Sequence, residues 1–192
     1  MGSEPLTLGF DTSAAHCAAA LLSGDDLLAC RAEEMARGQA ERLMPLLEEV
    51  LAEGGATWRD LSRIGVGTGP GNFTGIRIAV AAARGLALSL EVSAFGISAF
   101  DVIRASGGRG VPAVPAPRDM LHVLHTGAGL ALVPVSDLAN PALPPPPADM
   151  ARLIARLTRD APAGAPPPAP LYARPADAAP ARDAPPVILD DA

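Results

Sequence analysis

The stretch that most limits what this chain can fold into is Gly65–Leu90, GVGTGPGNFTGIRIAVAAARGLALSL. Glycine at 65, 67, 69, 71 and 75, with Pro70 among them, suits a chain that turns tightly and takes positive φ where a Cβ would clash. From Thr74 onward only Arg77, Arg84 and Ser89 interrupt apolar or small residues. Such a helix lacks the broad polar face of an ordinary surface helix and must be covered on more than one side. At about 100° per residue, Ile76, Ala79, Val80, Ala83, Ala87 and Leu90 share one face for packing on a sheet, and Arg77 and Arg84 mark the solvent side. Ile78, Ala82, Gly85 and Ser89 form a second stripe of mainly small residues, and a mid-helix glycine, which costs about 1 kcal/mol relative to alanine, points to a close approach there. That stripe is read either as part of the chain's own core or as a surface that meets another helix.

A glycine-rich loop opening a helix also invites a phosphate reading, because free N–H groups and the helix dipole attract anions. The Walker pattern requires a Lys before Ser/Thr, and all 15 basic residues here are Arg. The dinucleotide pattern GxGxxG is not met either. The preferred reading of Gly69, Pro70, Gly71, Asn72, Phe73, Thr74, Gly75 and Arg77 is a turn that seats the helix.

With 192 residues and 49% hydrophobic content the chain can bury a real core, built from Ala, Leu, Val and Ile because aromatics are only 3%. A net charge of −6, with no basic run, argues against gripping nucleic acid alone. The N-terminal residues lack signal-peptide character, no apolar run approaches a membrane span of roughly 20 residues, and Cys17 and Cys30 have no CxxC spacing. A cytoplasmic protein with buried thiols is expected.

In chain order, Leu6–Asp11 reads as a strand ending in an acid, followed by Thr12 and Ser13. Cys17–Leu22 and Leu27–Glu33 read as strands joined by a turn at Ser23–Asp26. Gln39–Glu53 is an amphipathic helix through Leu43, Leu46, Leu47, Val50 and Leu51. Ile64–Gly67 and Val92–Gly96 are strands, and Ile97–Ala105 is a short helix capped by Ser98. Met120–Leu124 and Gly129–Val135 suggest a second hairpin, and Asp149–Leu157 a further helix. Fourteen of the 21 prolines lie from Pro141 onward, so most of that region is expected to be extended or disordered.

These pieces resemble the TsaB (YeaZ) family. The matching segments are LGFDTS with its hairpin, GQAERLMPLLEEVL, the long GVGTGPGNFTGIRIAVAAARGLAL and AFGIS, with a weaker echo in PLYAR at Pro170–Arg174. The resemblance covers roughly the first 105 residues. It implies an α/β actin-like, sugar-kinase type of fold with a complete ribonuclease-H-like lobe over 1–106, a reduced second lobe over 107–160 and a Pro/Ala-rich tail over 161–192. It further implies a subunit without catalysis of its own that dimerises with a TsaD-type transferase, is joined by a TsaE-type ATPase, and meets tRNA only through that complex. ATP or ADP then belongs to the complex, and the isolated chain can pair with itself. Two departures stand out: Gln39-Ala40 replaces the His-Ser of many members, and the acidic motif that opens the second lobe is not recognisable around Arg118–His125.

In actin-like folds the turn corresponding to Asp11, Thr12 and Ser13 holds a nucleotide phosphate, so these residues are a candidate vestigial phosphate turn. The simpler reading is that Asp11 caps the turn by accepting backbone N–H bonds. The candidate partner surface is Leu43, Leu47 and Val50 with Ile78, Ala82, Gly85 and Ser89. No metal site is expected: HExxH is absent, and His122 and His125 fall on opposite faces of a strand. This disfavours a metallopeptidase; a kinase or ATPase of actin-like fold is the remaining alternative.

Overall fold

The structure, a computed structural model, describes residues 4–125 and 129–172. Its first sheet is built from β1 (Leu6–Asp11), β2 (His16–Ser23), β3 (Asp26–Glu34), β4 (Leu61–Gly67) and β5 (Ser93–Ile97), ordered β3-β2-β1-β4-β5. The first three strands are antiparallel neighbours, whereas β4 and β5 run parallel to β1, the ribonuclease-H-like arrangement. Gly24, with φ 55°, makes the turn between β2 and β3.

The helices α1 (Gln39–Glu53) and α2 (Phe73–Leu90) cover one face of this sheet. Alternation along β2 separates the faces: Cys17, Ala19 and Leu21 pack under these helices, and Ala18 and Ala20 point the other way. Arg42 ties α1 to β3 by bridging Glu33 and Glu49, and its hydrogen bonds hold both carboxyls below their usual range.

After α3 (Ala99–Ala105), strands β6 (Val111–Ala116), β7 (Met120–His125), β8 (Gly129–Pro134) and β9 (Pro141–Ala142) form a second sheet ordered β8-β7-β6-β9. Here too three antiparallel strands are followed by one parallel to the first, so this sheet repeats the first four strands of its neighbour. Strands β6 and β9 escaped the sequence reading because Pro112, Pro115 and Pro141 withhold N–H groups and mask the strand pattern.

The helix α4 (Pro147–Arg159) starts on Pro147, a residue suited to the first helical turn. It lies against the open face of the first sheet, with Ala151 on Ala18 and Ala20. The approach is close: a Cβ at Gly9 would run into the backbone of Ala151 and Ala155, and one at Gly65 would overlap Thr158. Arg63 Nη1 then closes the helix C-terminus by donating to the carbonyls of Thr158, Arg159 and Ala161 at 3.1, 3.1 and 2.6 Å. The helix α4, from the proline-rich region after Pro141, thus covers the open face of the first lobe's sheet. A chain ending at Ser106 is expected to melt without a cooperative transition in thermal circular dichroism, whereas one ending at Tyr172 should melt as a unit. Gly9→Ala in the full chain should cost roughly 1–3 kcal/mol by overpacking against helix backbone that cannot yield.

Candidate functional site

Strands β1 and β4 both end on the same rim, where parallel sheets present their ligand crevices. Asp11, Thr12 and Ser13 leave β1 there, and Thr68–Asn72 leaves β4. Asp11 is fully buried. Its Oδ2 accepts from Ser13 N at 3.1 Å and Ser13 Oγ at 2.9 Å, and His16 Nε2 lies 2.7 Å away. His16, itself 6% exposed, opens β2, so the β1–β2 hairpin returns it to the acid five residues earlier.

The rest of the rim is filled by the glycine-rich loop. Thr12 Oγ1 donates to the Gly75 carbonyl at 2.7 Å, and Asn72 N donates to the Ser13 carbonyl at 2.6 Å. Asn72 caps α2 by accepting from Gly75 N at 2.9 Å. Glycine is required where the segments touch, because a Cβ at Gly71 would overlap the Ser13 carbonyl and one at Gly75 the Thr12 carbonyl. Gly69 has φ 89° and precedes the cis Gly69–Pro70 bond, and its carbonyl accepts from Ala99 N at 2.8 Å.

This geometry corrects the phosphate reading of Asp11, Thr12 and Ser13. All three are buried, and Asp11 Oδ2, Ser13 N and Oγ, and Thr12 Oγ1 are spent on each other, on His16 and on the loop. Asp11 Oδ1 faces Gly67 with no hydrogen-bond partner among the described residues, in a narrow gap walled by Ile97, Val102, Met150 and Ile154. An anion at this turn would have to displace the loop and face a carboxylate. Among the described residues no three His, Cys, Asp or Glu side chains converge as metal ligands. Burial pushes the Cys17 thiol up to about 11, which disfavours its thiolate at neutral pH, and raises the Cys30 thiol as well.

The second candidate surface divides. Leu43, Leu47 and Val50 are at most 1% exposed and belong to the core under the first sheet, so assigning them to a partner surface is corrected: their face of α1 is spent on packing. Ile78 and Ala82 are half-buried, Gly85 and Ser89 are exposed, and no atom lies within 4 Å of where a Gly85 Cβ would stand. Ile76, Ala79, Val80 and Ala83 face the sheet as the periodicity required, while Ala87 and Leu90 are only half-buried. By length and composition α2 is apolar enough to cross a membrane, but its sheet-facing side is built into the core.

Residues that sequence reasoning missed complete the picture. Leu88 is 83% exposed, on the side that Arg77 and Arg84 seemed to reserve for polar groups. Tyr172 sits on the first turn of α2: Arg77 Nε donates to its hydroxyl at 2.7 Å, the Arg77 guanidinium stands 3.7 Å over the Phe73 ring, and the two rings are 5.1 Å apart. The PLYAR echo was the available signal for Tyr172; Ala173 and Arg174 lie outside the described residues. His16 gave no signal, because its meaning depends on the hairpin register.

The TsaD family model, described as tRNA N6-adenosine threonylcarbamoyltransferase, matches residues 32–119. The chain is 34% identical over 91 residues to the tRNA threonylcarbamoyladenosine biosynthesis protein TsaB of Escherichia coli, covering 47% of this chain and 39% of that one. It is 32% identical over 104 residues to the TsaB of Buchnera aphidicola, covering 54% and 49%. The solved structure of YeaZ from Pseudomonas aeruginosa superposes with a TM-score of 0.56 at 28% identity over 67% of this chain and 64% of that one. The structure of an uncharacterized protein with similarity to peptidase YEAZ, also from Pseudomonas aeruginosa, superposes at 0.68 and 22% identity over 88% and 100%, a likeness of fold.

Topology and site thus define an α/β protein of the actin-like, sugar-kinase class whose first-lobe phosphate turn is occupied from within. Within that class the chain is similar in sequence and fold to the TsaB (YeaZ) proteins. It spans no more than about half the length of these curated relatives, 49% of the Buchnera protein and 39% of the Escherichia coli one.

Removing the imidazole in His16→Ala takes a hydrogen-bond partner from the buried Asp11 side chain, and should cost roughly 1–3 kcal/mol in urea unfolding. A loss below 1 kcal/mol would show that the turn stands without it.

Proposed function

We propose that this chain is a non-catalytic adaptor that pairs with a TsaD-type transferase and supports threonylcarbamoylation of tRNA adenosine beside the anticodon. The observation that carries the reading is the outer stripe of α2. Ile78, Ala82, Gly85 and Ser89 form a small-residue surface on a helix whose opposite side is already anchored, and small residues let a second helix come close. The chain's likeness to both TsaB and the transferase family supports pairing of equivalent helices, since proteins of one fold can associate through the same surface about a pseudo-twofold axis. A second copy of the chain would use the same stripe when the transferase is absent. A TsaE-type ATPase joins the pair, and tRNA is met through the assembly in the cytoplasm, consistent with a net charge of −6 on this subunit.

The kinase or ATPase alternative needs an open phosphate turn, and here the glycine loop fills it. The purified chain is expected neither to hydrolyse ATP nor to modify tRNA. ATP turnover that disappears in Asp11→Ala would reverse the assignment.

Two substitutions separate surface from core. Ala82→Arg should abolish association with the transferase, read by size-exclusion chromatography with light scattering, while leaving the monomer's melting temperature nearly unchanged. Leu47→Ala should destabilise the monomer itself by roughly 2–5 kcal/mol, because it opens a cavity in the core. Normal transferase binding by Ala82→Arg would remove the stripe from the interface.

A further inference from the structure

The second half of α2 borders a groove of about 560 Å³, a size that suits a small molecule. Ala87, Leu88 and Val92 line one side, and Pro167 and Pro168 line the other. Both walls are fixed. The helix is built into the core, and the proline segment is tied down at each end: the Ala161 carbonyl accepts from Arg63 Nη1 at 2.6 Å, Leu171 N donates to the Thr68 carbonyl at 2.8 Å, and the Tyr172 hydroxyl accepts from Arg77 Nε. Between these ties each proline holds φ near about −65°, and Pro168 is buried against Gly96, where an added Cβ would meet it at 3.3 Å. The segment therefore cannot swing onto α2, and the slot stays open even though closing it would take Leu88 out of water.

Charge marks one end of this slot. Arg84 is the single charged side chain in the lining, no carboxylate accompanies it, and it has no ion pair among the described residues. Arg77, two turns earlier on the same side of α2, is by contrast spent on Tyr172 and Phe73. In a chain with 21 acidic and 15 basic side chains, an arginine left without an acid beside an apolar slot concentrates positive potential there. A ligand that satisfies both features carries an anionic head on an aliphatic tail. One guanidinium with no second cation in the lining balances a single negative charge, and its planar fork matches a carboxylate.

We propose that this groove binds a straight-chain aliphatic monocarboxylate, with the tail between Leu88 and the Pro167–Pro168 wall and the carboxylate against Arg84. The site belongs to this chain alone and does not rest on the adaptor reading.

The test uses the full-length, isotope-labelled chain without the transferase, so its outcome and that of the adaptor reading stay separate. Octanoate and decanoate are titrated in and followed by NMR through the amides of Gly85 and Leu88, with Leu27 on β3, at the opposite edge of the sheet from β5, as the reference. Saturable shifts should be confined to the groove, and decanoate should bind about tenfold tighter than octanoate, because two further methylenes leave water. Decyltrimethylammonium, a similar tail with a cationic head, should bind roughly tenfold more weakly than decanoate. Arg84→Glu should weaken decanoate by a similar factor and Arg84→Gln severalfold, both without a change in melting temperature, because Arg84 is exposed and makes no ion pair among the described residues. Affinity independent of tail length, equal binding of the cationic analogue, or indifference to Arg84→Glu would overturn the site. Groove resonances that shift with protein concentration in the absence of ligand, together with a dimer in light scattering, would assign the groove to a second copy and overturn it as well.

Discussion

The contact on which the rest depends is the seating of the glycine-rich loop on the turn after β1. Four hydrogen bonds, from Thr12 Oγ1 to the Gly75 carbonyl, from Asn72 N to the Ser13 carbonyl, from Gly75 N to Asn72 Oδ1 and from Ala99 N to the Gly69 carbonyl, lock β1, the start of α2 and the start of α3 to one another. The close approach of the loop to the Thr12 and Ser13 carbonyls leaves no room for a Cβ at 71 or 75, which only glycine permits. The direction and rotation of α2 follow from this seat, and with them the identity of the face left outside. Closed on itself, this rim serves as a fixed mount for the helix.

The sheet behind the mount is finished by a helix that comes from the second lobe. Gly9 and Gly65 are bare so that α4 can lie on β1 and β4, and Arg63 ends that helix by collecting the carbonyls of Thr158 and Arg159 and that of Ala161 just beyond it. Arg159 adds a contact from α4 to Gly24 and Asp25 at the β2–β3 turn. The second sheet is short, but the helix that follows it packs on the first. Lobe boundaries drawn along the sequence are consequently not boundaries of packing.

Much of this was legible in the residues. The limits of α1, the cap of α3 and the sheet-facing side of α2 follow from periodicity and local turn chemistry, which depend on neighbours three or four residues apart. What stayed hidden depends on distant partners. Proline content concealed β6 and β9, whose pairing is with strands in the same small sheet rather than with solvent. The inward turn of Leu43, Leu47 and Val50 could not be told from an outward one, because an apolar helix face looks the same whether its cover is internal or external. His16 and Tyr172 acquired meaning only when the fold brought them to Asp11 and Arg77.

One asymmetry of α2 gives the molecule its character. Its first turn is clasped by Tyr172 and its inner side by the sheet, so the helix is held rigidly at one end and along one face. Toward the other end Leu88 stands almost fully exposed and Gly85 offers bare backbone. A monomer that needed only to fold would gain by placing charged residues there. Retaining apolar and small residues on a helix already fixed in position leaves solvent exposure as its only cost and close helix contact as its compensation, and an arrangement that preorganises a surface before association lowers the entropy lost on binding. The filled turn and the open helix face are therefore two sides of one construction: the polar groups of the turn fix the helix whose outer face stays exposed.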